Sequence, residues 1–141
     1  MQTTYSFKFD LPYSLHDSRI CGIALDNNNI RLTFDGGYTA LTAALNFPVD
    51  GDVTLFSADP EFCEVHLLSF YGQTGAFEGE KLSLEDFIAR YPQFTFEVVD
   101  ELFSYNQLML TGFITVPGCD DLREMTMSVY FTGNIVFNTQ Q

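Results

Sequence analysis

Alternation with a period of two runs through most of the chain. Tyr5, Phe7, Phe9 and Leu11 alternate with Ser6, Lys8 and Asp10, the pattern of a strand with one buried face. Pro12 and the polar residues 14–18 end it. Cys21, Ile23 and Leu25 then share one parity, and after Asp26-Asn27-Asn28-Asn29 the residues Ile30, Leu32 and Phe34 alternate with Arg31, Thr33 and Asp35. Asparagine accepts a positive φ cheaply, so 19–35 is predicted to be a hairpin around a polar turn. It places Cys21 on an apolar face. Gly36-Gly37 turns the chain again.

Thr39, Leu41, Ala43, Leu45 and Phe47 share strand parity, which predicts a strand over 38–47 despite its alanine-rich middle. Pro48-Val49-Asp50-Gly51 reads as a turn, 53–57 as a short strand, and Ala58-Asp59-Pro60 as another turn. Cys63, Val65 and Leu67 oppose Glu64 and His66. Three glycines over 72–81 predict an exposed loop. One helix stands out. Ser83 and Asp86 match a capping box, Leu84, Phe87, Ile88 and Tyr91 fall on one helical stripe, and Pro92 stops it.

The last third returns to alternation. Phe94, Phe96 and Val98 oppose Thr95, Glu97 and Val99. After a turn at Asn106, Leu108, Leu110, Ile114 and Val116 oppose Met109, Thr111, Phe113 and Thr115. Residues 117–121 read as a turn, Met125, Met127, Val129 and Phe131 share a face, and Gly133 marks a bulge or turn before a last strand at 135–137. With turn signals every 8–12 residues, the expectation is one mainly β domain over 1–141. It is an antiparallel β-sandwich or flattened barrel of about nine or ten short strands with one helix.

Composition sharpens this reading. A chain of 141 residues that is 46% hydrophobic and 18% charged can bury a core without staples. Its 15 Phe and 7 Tyr with no Trp suit pleated surfaces. Nineteen acids against six bases give a net charge of -13, which disfavours nucleic acid and anionic membrane partners and favours a basic protein. The long uncharged stretches over 102–119 and 125–141 are interrupted by polar residues and read as paired strands, not as membrane spans. An odd cysteine count without a C-x-x-C pair and the lack of a signal peptide pattern suggest a cytoplasmic protein.

Candidate chemistry is sparse. His16, Asp17 and His66 could line a small-ligand or enzymatic cleft if the fold brought them together. The competing reading is a polar loop at 16–17 and an exposed strand pair at Glu64 and His66. Asp50, Asp52, Asp59, Glu61 and Glu64 form the densest run of acids, with no base between Arg31 and Lys81. They read either as a solvated rim or as a surface for a basic partner. No metal, cofactor or catalytic motif is indicated: phosphate-loop and EF-hand patterns are missing, and no local His/Cys ligand pair is backed by a second one.

The segment Leu15-His16-Asp17-Ser18-Arg19-Ile20, followed by an alternating hairpin, resembles the opening of some small bacterial β-rich proteins of unknown function, some of which are regarded as immunity proteins against polymorphic toxins. The resemblance covers about a dozen residues. It implies no catalytic residue, and it agrees with an acidic protein that binds basic toxins. The expected function is therefore non-catalytic binding, immunity-type inhibition being its most concrete form. The alternatives are the His16, Asp17 and His66 cleft, and a structural subunit that self-assembles into a homo-oligomer.

Overall fold

The computed structural model describes residues 1–5, 10–68 and 79–140. Twelve strands follow one another: β1 (Gln2–Tyr5), β2 (Tyr13–Ser14), β3 (Arg19–Asp26), β4 (Asn29–Phe34), β5 (Tyr38–Ala40), β6 (Phe47–Leu55), β7 (Glu64–Leu68), β8 (Gly79–Ser83), β9 (Thr95–Ser104), β10 (Gln107–Val116), β11 (Cys119–Tyr130) and β12 (Ile135–Gln140). One helix, α1 (Leu84–Arg90), lies between β8 and β9. The fold is mainly β, and all the pairings are antiparallel. The number of strands exceeds the expected nine or ten because β2 has only two residues, too few to show a period, and β8 lies partly in the segment expected to be a loop.

The strands form one open sheet in the order β1-β12-β6-β4-β3-β9-β10-β11-β7-β8, with β5 beside β6 and β2 beside β5. The long strands bury one face each, such as Ile30, Leu32 and Phe34 on β4 or Met125, Met127 and Val129 on β11. A seven-residue helix is too small to cover such a sheet, so the sheet covers itself. Its two five-strand halves meet at β3 and β9 through only two residue pairs, Arg19–Glu97 and Ile20–Phe96. The apolar faces of both halves contribute to one buried cluster that includes Phe96, Phe137, Leu55 and Leu110. The helix behaves as its sequence predicts. The Ser83 hydroxyl accepts from the Asp86 amide at 3.1 Å, Leu84 and Phe87 are buried, and Phe87 packs against Phe94 and Tyr91.

Several sequence expectations need correction. Cys21 is exposed, not on the apolar face with Ile23. A register shift between Ile20 and Gly22 lets Ile20 and Ile23 both point inward and turns Cys21 out. The strand expected over 38–47 is only β5; Leu41 to Asn46 form a loop with Leu45 71% exposed. The turn expected at 48–51 lies within β6. Residues 47–49 pair with β5 alone among the described strands, and proline is tolerated where a strand is paired on one side. Gly51 is in that strand because a Cβ there would lie 2.0 Å from Asn138 O. The tail of the loop expected over 72–81 is the first half of β8, while 72–78 fall outside the described residues. The turn at 117–121 is shorter than expected, because β11 already begins at Cys119. The first strand is β1, and most of the alternation at 5–11 falls outside the described residues.

Opposite ends of the strands finish differently. After the Gly36-Gly37 kink β4 continues as β5, and β2 precedes β3 across a second kink, so this tier extends the sheet past Phe34. It buries a ring cluster in which Tyr13 lies 5.5 Å from Tyr38 and 4.9 Å from Phe137, and Phe34 lies 5.2 Å from Tyr38. At the other end the strands stop in tight turns. Asn27-Asn28 joins β3 to β4 with φ of 49° and 63°, the mirror-image turn that suits strand twist.

Candidate functional site

The pocket residues expected from the sequence do not come together. His16 and Asp17 form a turn in which Asp17 has φ 62°, and their side chains, 3.0 Å apart, are both largely exposed. The Asp17 amide donates to Val98 O at 2.8 Å. From Val98 the sheet runs through Gly112 and Met125 to Leu67, the neighbour of His66. Four strand spacings, counted from Asp17 to Leu67, put the two histidine segments roughly 19 Å apart along the sheet. His66 stands on the outer face of β7, half-buried, with Lys81 opposite on β8. Among the described residues no group of three or more His, Cys, Asp or Glu could hold a metal ion, and every buried side-chain nitrogen and oxygen has a hydrogen-bond partner. Cys63 is buried, its Sγ donates to Asp59 O at 3.2 Å, and burial pushes the thiol up, away from thiolate chemistry.

The five acids separate into two groups. Asp50 and Asp52 lie on β6 beside β12. The Asp52 carboxylate is engaged: it accepts from Arg31 Nε at 3.0 Å and Nη2 at 2.5 Å, and from Asn138 Nδ2 at 2.8 Å. Five residues of strand, about 17 Å, separate Asp50 from Leu55, and the chain reaches Asp59 only after that. Asp59 caps a single 3-10 turn over Pro60–Phe62, accepting from the Glu61 amide at 3.1 Å. Glu61 is exposed. Glu64 pairs with Lys81 at 2.9 Å, and this hydrogen bond holds its carboxyl below the usual range. At the loop end, then, Asp59 and Glu61 are acids without a basic side chain paired to them among the described residues.

These two acids border a feature that charge counting missed. Four loops meet at this end: Asn27-Asn28, residues 56–62, the turn at Tyr105-Asn106, and residues 130–134. They are laced by backbone hydrogen bonds. Ala58 N donates to Asn28 O at 2.7 Å, Asp59 N to Tyr130 O at 3.1 Å, Phe131 N to Asn106 O at 3.1 Å and Thr132 N to Ser57 O at 2.9 Å. The Ser57 amide donates to Asn29 Oδ1 at 3.1 Å, which holds Ser57 at φ 54°. Such left-handed non-glycine residues persist where their surroundings over-determine them. Here Asn27, Asn28, Ser57 and Asn106 are four of the five in the described chain.

Large rings on this rigid base reach solvent. Tyr105 is 76% exposed and Phe62 64%, with Phe56 and Tyr130 at 37% each. The Phe62 and Tyr130 rings meet edge to face at 5.8 Å. They flank a cleft of about 630 Å3 whose lining includes Asn27, Asn28, Asp59, Phe62, Tyr130 and Thr132, within the size range of ligand-binding clefts. A smaller one, about 190 Å3, lies on the other side of Thr132 between Tyr5, Phe103 and Tyr105. Among the described residues no lysine or arginine lines either cleft.

No protein-family model, curated protein or solved structure matches the chain. The site therefore rests on its own geometry. A weak signal for it was present in the sequence. Phe62 has the sequence parity of Glu64 and His66, and Tyr130 that of Thr126 and Ser128, so each is a large ring in step with polar positions of the neighbouring pattern. No helix among the described residues is long and apolar enough to cross a membrane.

Proposed function

We propose that this protein is a non-catalytic binding protein that engages a basic protein partner through its loop end, in the manner of an immunity-type inhibitor working in the cytoplasm. The observation that carries the reading is the solvent-exposed aromatic group Phe56, Phe62, Tyr105 and Tyr130 on hydrogen-bonded loops, beside Asp59 and Glu61 and with no base in either cleft lining among the described residues. Rigid tyrosine and phenylalanine side chains make interface anchors because little rotamer freedom is lost when they are covered. The surrounding negative field, from a chain of net charge -13, steers a cationic partner and repels an anionic one. The three cysteines, all unpaired, suit a reducing compartment. The reading gives Asp50 and Asp52 a lesser part than Asp59 and Glu61, because Asp52 is already neutralised by Arg31.

The test is an unbiased selection of binders from a displayed library of a small scaffold with one randomised loop. The reading expects enriched loops to be cationic and their binding to weaken with salt. Phe62→Ala and the pair Asp59→Asn with Glu61→Gln should reduce that binding, and Asp50→Asn should spare it. Enriched loops that are neutral or acidic, or that bind Phe62→Ala as well as the parent, would overturn the reading.

One observation favours self-assembly as a second reading. Residues 38–49 carry no charge in an otherwise acidic chain, and they expose Leu45 and Phe47 at 71% and 45%. Sedimentation at increasing concentration decides this: a monomer throughout excludes it, and a dimer lost in Leu45→Ser supports it.

A further inference from the structure

We infer that the larger cleft at the loop end is an arginine socket, in which a guanidinium group of the partner stacks on the Phe62–Tyr130 pair and is bound by the carboxylate of Asp59. The inference rests on the reading of this end as a partner-binding surface and goes further, naming the side chain that the surface recognises. Three features of the cleft converge on it.

The first is the ring pair. Phe62 and Tyr130 are held edge to face at 5.8 Å, and Phe62 is 64% exposed, so ring surface is open to a planar cation. Arginine is the cation found most often over aromatic faces, because its guanidinium is flat, delocalised and weakly hydrated. The second is the acceptor set. Asp59 accepts one hydrogen bond through Oδ1 from the Glu61 amide, which leaves lone pairs on both oxygens for donors from outside. Asn27 and Asn28 line the same cleft, and each carries an amide oxygen. Five N–H donors in a fixed fork can use such a divergent set, whereas an ammonium group acts as a compact point charge.

The third is preorganisation. Asp59 N is tied to Tyr130 O, Asp59 O accepts from Phe62 N at 3.0 Å, and Ala58 N is tied to Asn28 O. Carboxylate, rings and asparagine turn therefore belong to one hydrogen-bonded frame, so little ordering is left to offset when a ligand enters. The charge also has the right sign: among the described residues Asp59 is the single charged residue in the lining, and Glu61 follows on the same turn. The cleft is wider than one arginine side chain needs, which leaves room for the backbone of the loop that delivers it.

The probes are N-acetyl-arginine amide and N-acetyl-lysine amide, titrated into isotope-labelled protein and followed by the amide resonances of residues 27–28, 58–62 and 130–132. The socket predicts saturable shifts confined to these residues and several-fold tighter binding of the arginine probe. Phe62→Ala should abolish that preference, and Glu61→Gln should weaken both probes alike. Phe62→Ala removes an exposed ring, so its folding is safe. Equal affinity for the two probes, shifts scattered over the acidic surface, or a preference that survives Phe62→Ala would overturn the socket. If cationic library loops still bind at this end while the arginine preference is missing, the socket fails and the wider reading stands. If the selected loops are not cationic, the wider reading fails whatever the arginine probe does.

Discussion

The two ends of the molecule use the same residue types in opposite ways. Past the Gly36-Gly37 kink, Tyr13, Phe34, Tyr38 and Phe137 are packed ring against ring and buried. At the other end Phe56, Phe62, Tyr105 and Tyr130 are left facing solvent. The difference is one of chain path. On the closed end β4 runs on as β5 and β3 is preceded by β2, which supplies a second tier to lay over the rings. On the open end the described connections are tight turns and the 56–63 segment with its single 3-10 turn, and these leave the rings exposed. Burying a large aromatic side chain contributes about 1.5–3 kcal/mol, so Phe62 and Tyr105, which are mostly exposed, forgo stability that the closed end obtains. On the proposed reading the open end is a surface kept available, and the closed end is the part that holds the fold.

The comparison breaks most readily at its largest predicted difference. Phe137 is fully buried among Tyr13 and Tyr38, so Phe137→Ala should cost about 3–5 kcal/mol. Phe62→Ala at the open end should stay within about 0.5 kcal/mol of the parent. Denaturant midpoints with matched slopes measure both, and similar losses in the two variants would erase the distinction.

Next in size is the kink that allows the closed end to fold over. Gly37 has φ +70°, and a Cβ there would lie 1.9 Å from Val49 O. Gly37→Ala should therefore cost at least about 1–3 kcal/mol. Protection from hydrogen exchange should fall first in β2 and β5, leaving β10 and β11 intact. Uniform loss of protection would show that the tier is not a separate cover.

Smaller still is the clamp where the second tier joins the rest. Beyond Val98, β9 leaves β3, and the Glu101 carboxylate fills the gap, accepting from Ser14 Oγ at 2.5 Å and Leu15 N at 2.7 Å. Glu101→Ala should cost roughly 1–3 kcal/mol because a part-buried amide loses its acceptor. Thermal unfolding checks it, and an unchanged midpoint would mean that water replaces the clamp at no cost.

The smallest effect is in alkali. The Tyr38 hydroxyl is 3.0 Å from Asp52 O and 3.2 Å from Asn138 O, and burial, with Tyr13 and Asp52 nearby, raises it well above its ordinary range. A raised folded-state value means that the folded protein keeps a proton which the unfolded chain gives up. This contribution is intact below about pH 10, the unfolded tyrosine value, and falls as pH rises beyond it. Tyr38→Phe should lose about 1 kcal/mol at neutral pH and show a flatter decline above pH 10; an alkaline limb identical to that of the parent would contradict the assignment.

Much of this architecture was legible in the sequence because most strands have one wet face. The alternation of Ile30, Leu32 and Phe34, and of Phe94, Phe96 and Val98, named core residues correctly, and Ser83 with Asp86 named the helix start. What the pattern could not carry was anything that breaks parity without changing residue types. The shift at Ile20–Gly22 reversed Cys21, and Gly51 and Pro48 look like turn residues but lie in β6. The candidate site was harder. Acids are conspicuous in a sequence, yet Asp50 and Glu64 are drawn together only by chain numbering, while Phe62 and Tyr130 are brought together by the sheet. Their one local sign was an aromatic ring in step with polar positions of the neighbouring pattern.

The account turns on whether the open-end rings serve binding and not folding, and one paired measurement on Phe62→Ala addresses both. The samples are the parent and the variant, each measured for denaturant stability and for affinity toward the cationic loops selected against the parent. The account predicts stability unchanged within about 0.5 kcal/mol and affinity lower by roughly tenfold or more, the 1.4 kcal/mol scale expected of an interface anchor. An affinity that does not move, or a loss of stability large enough to account for the loss of binding, would contradict it.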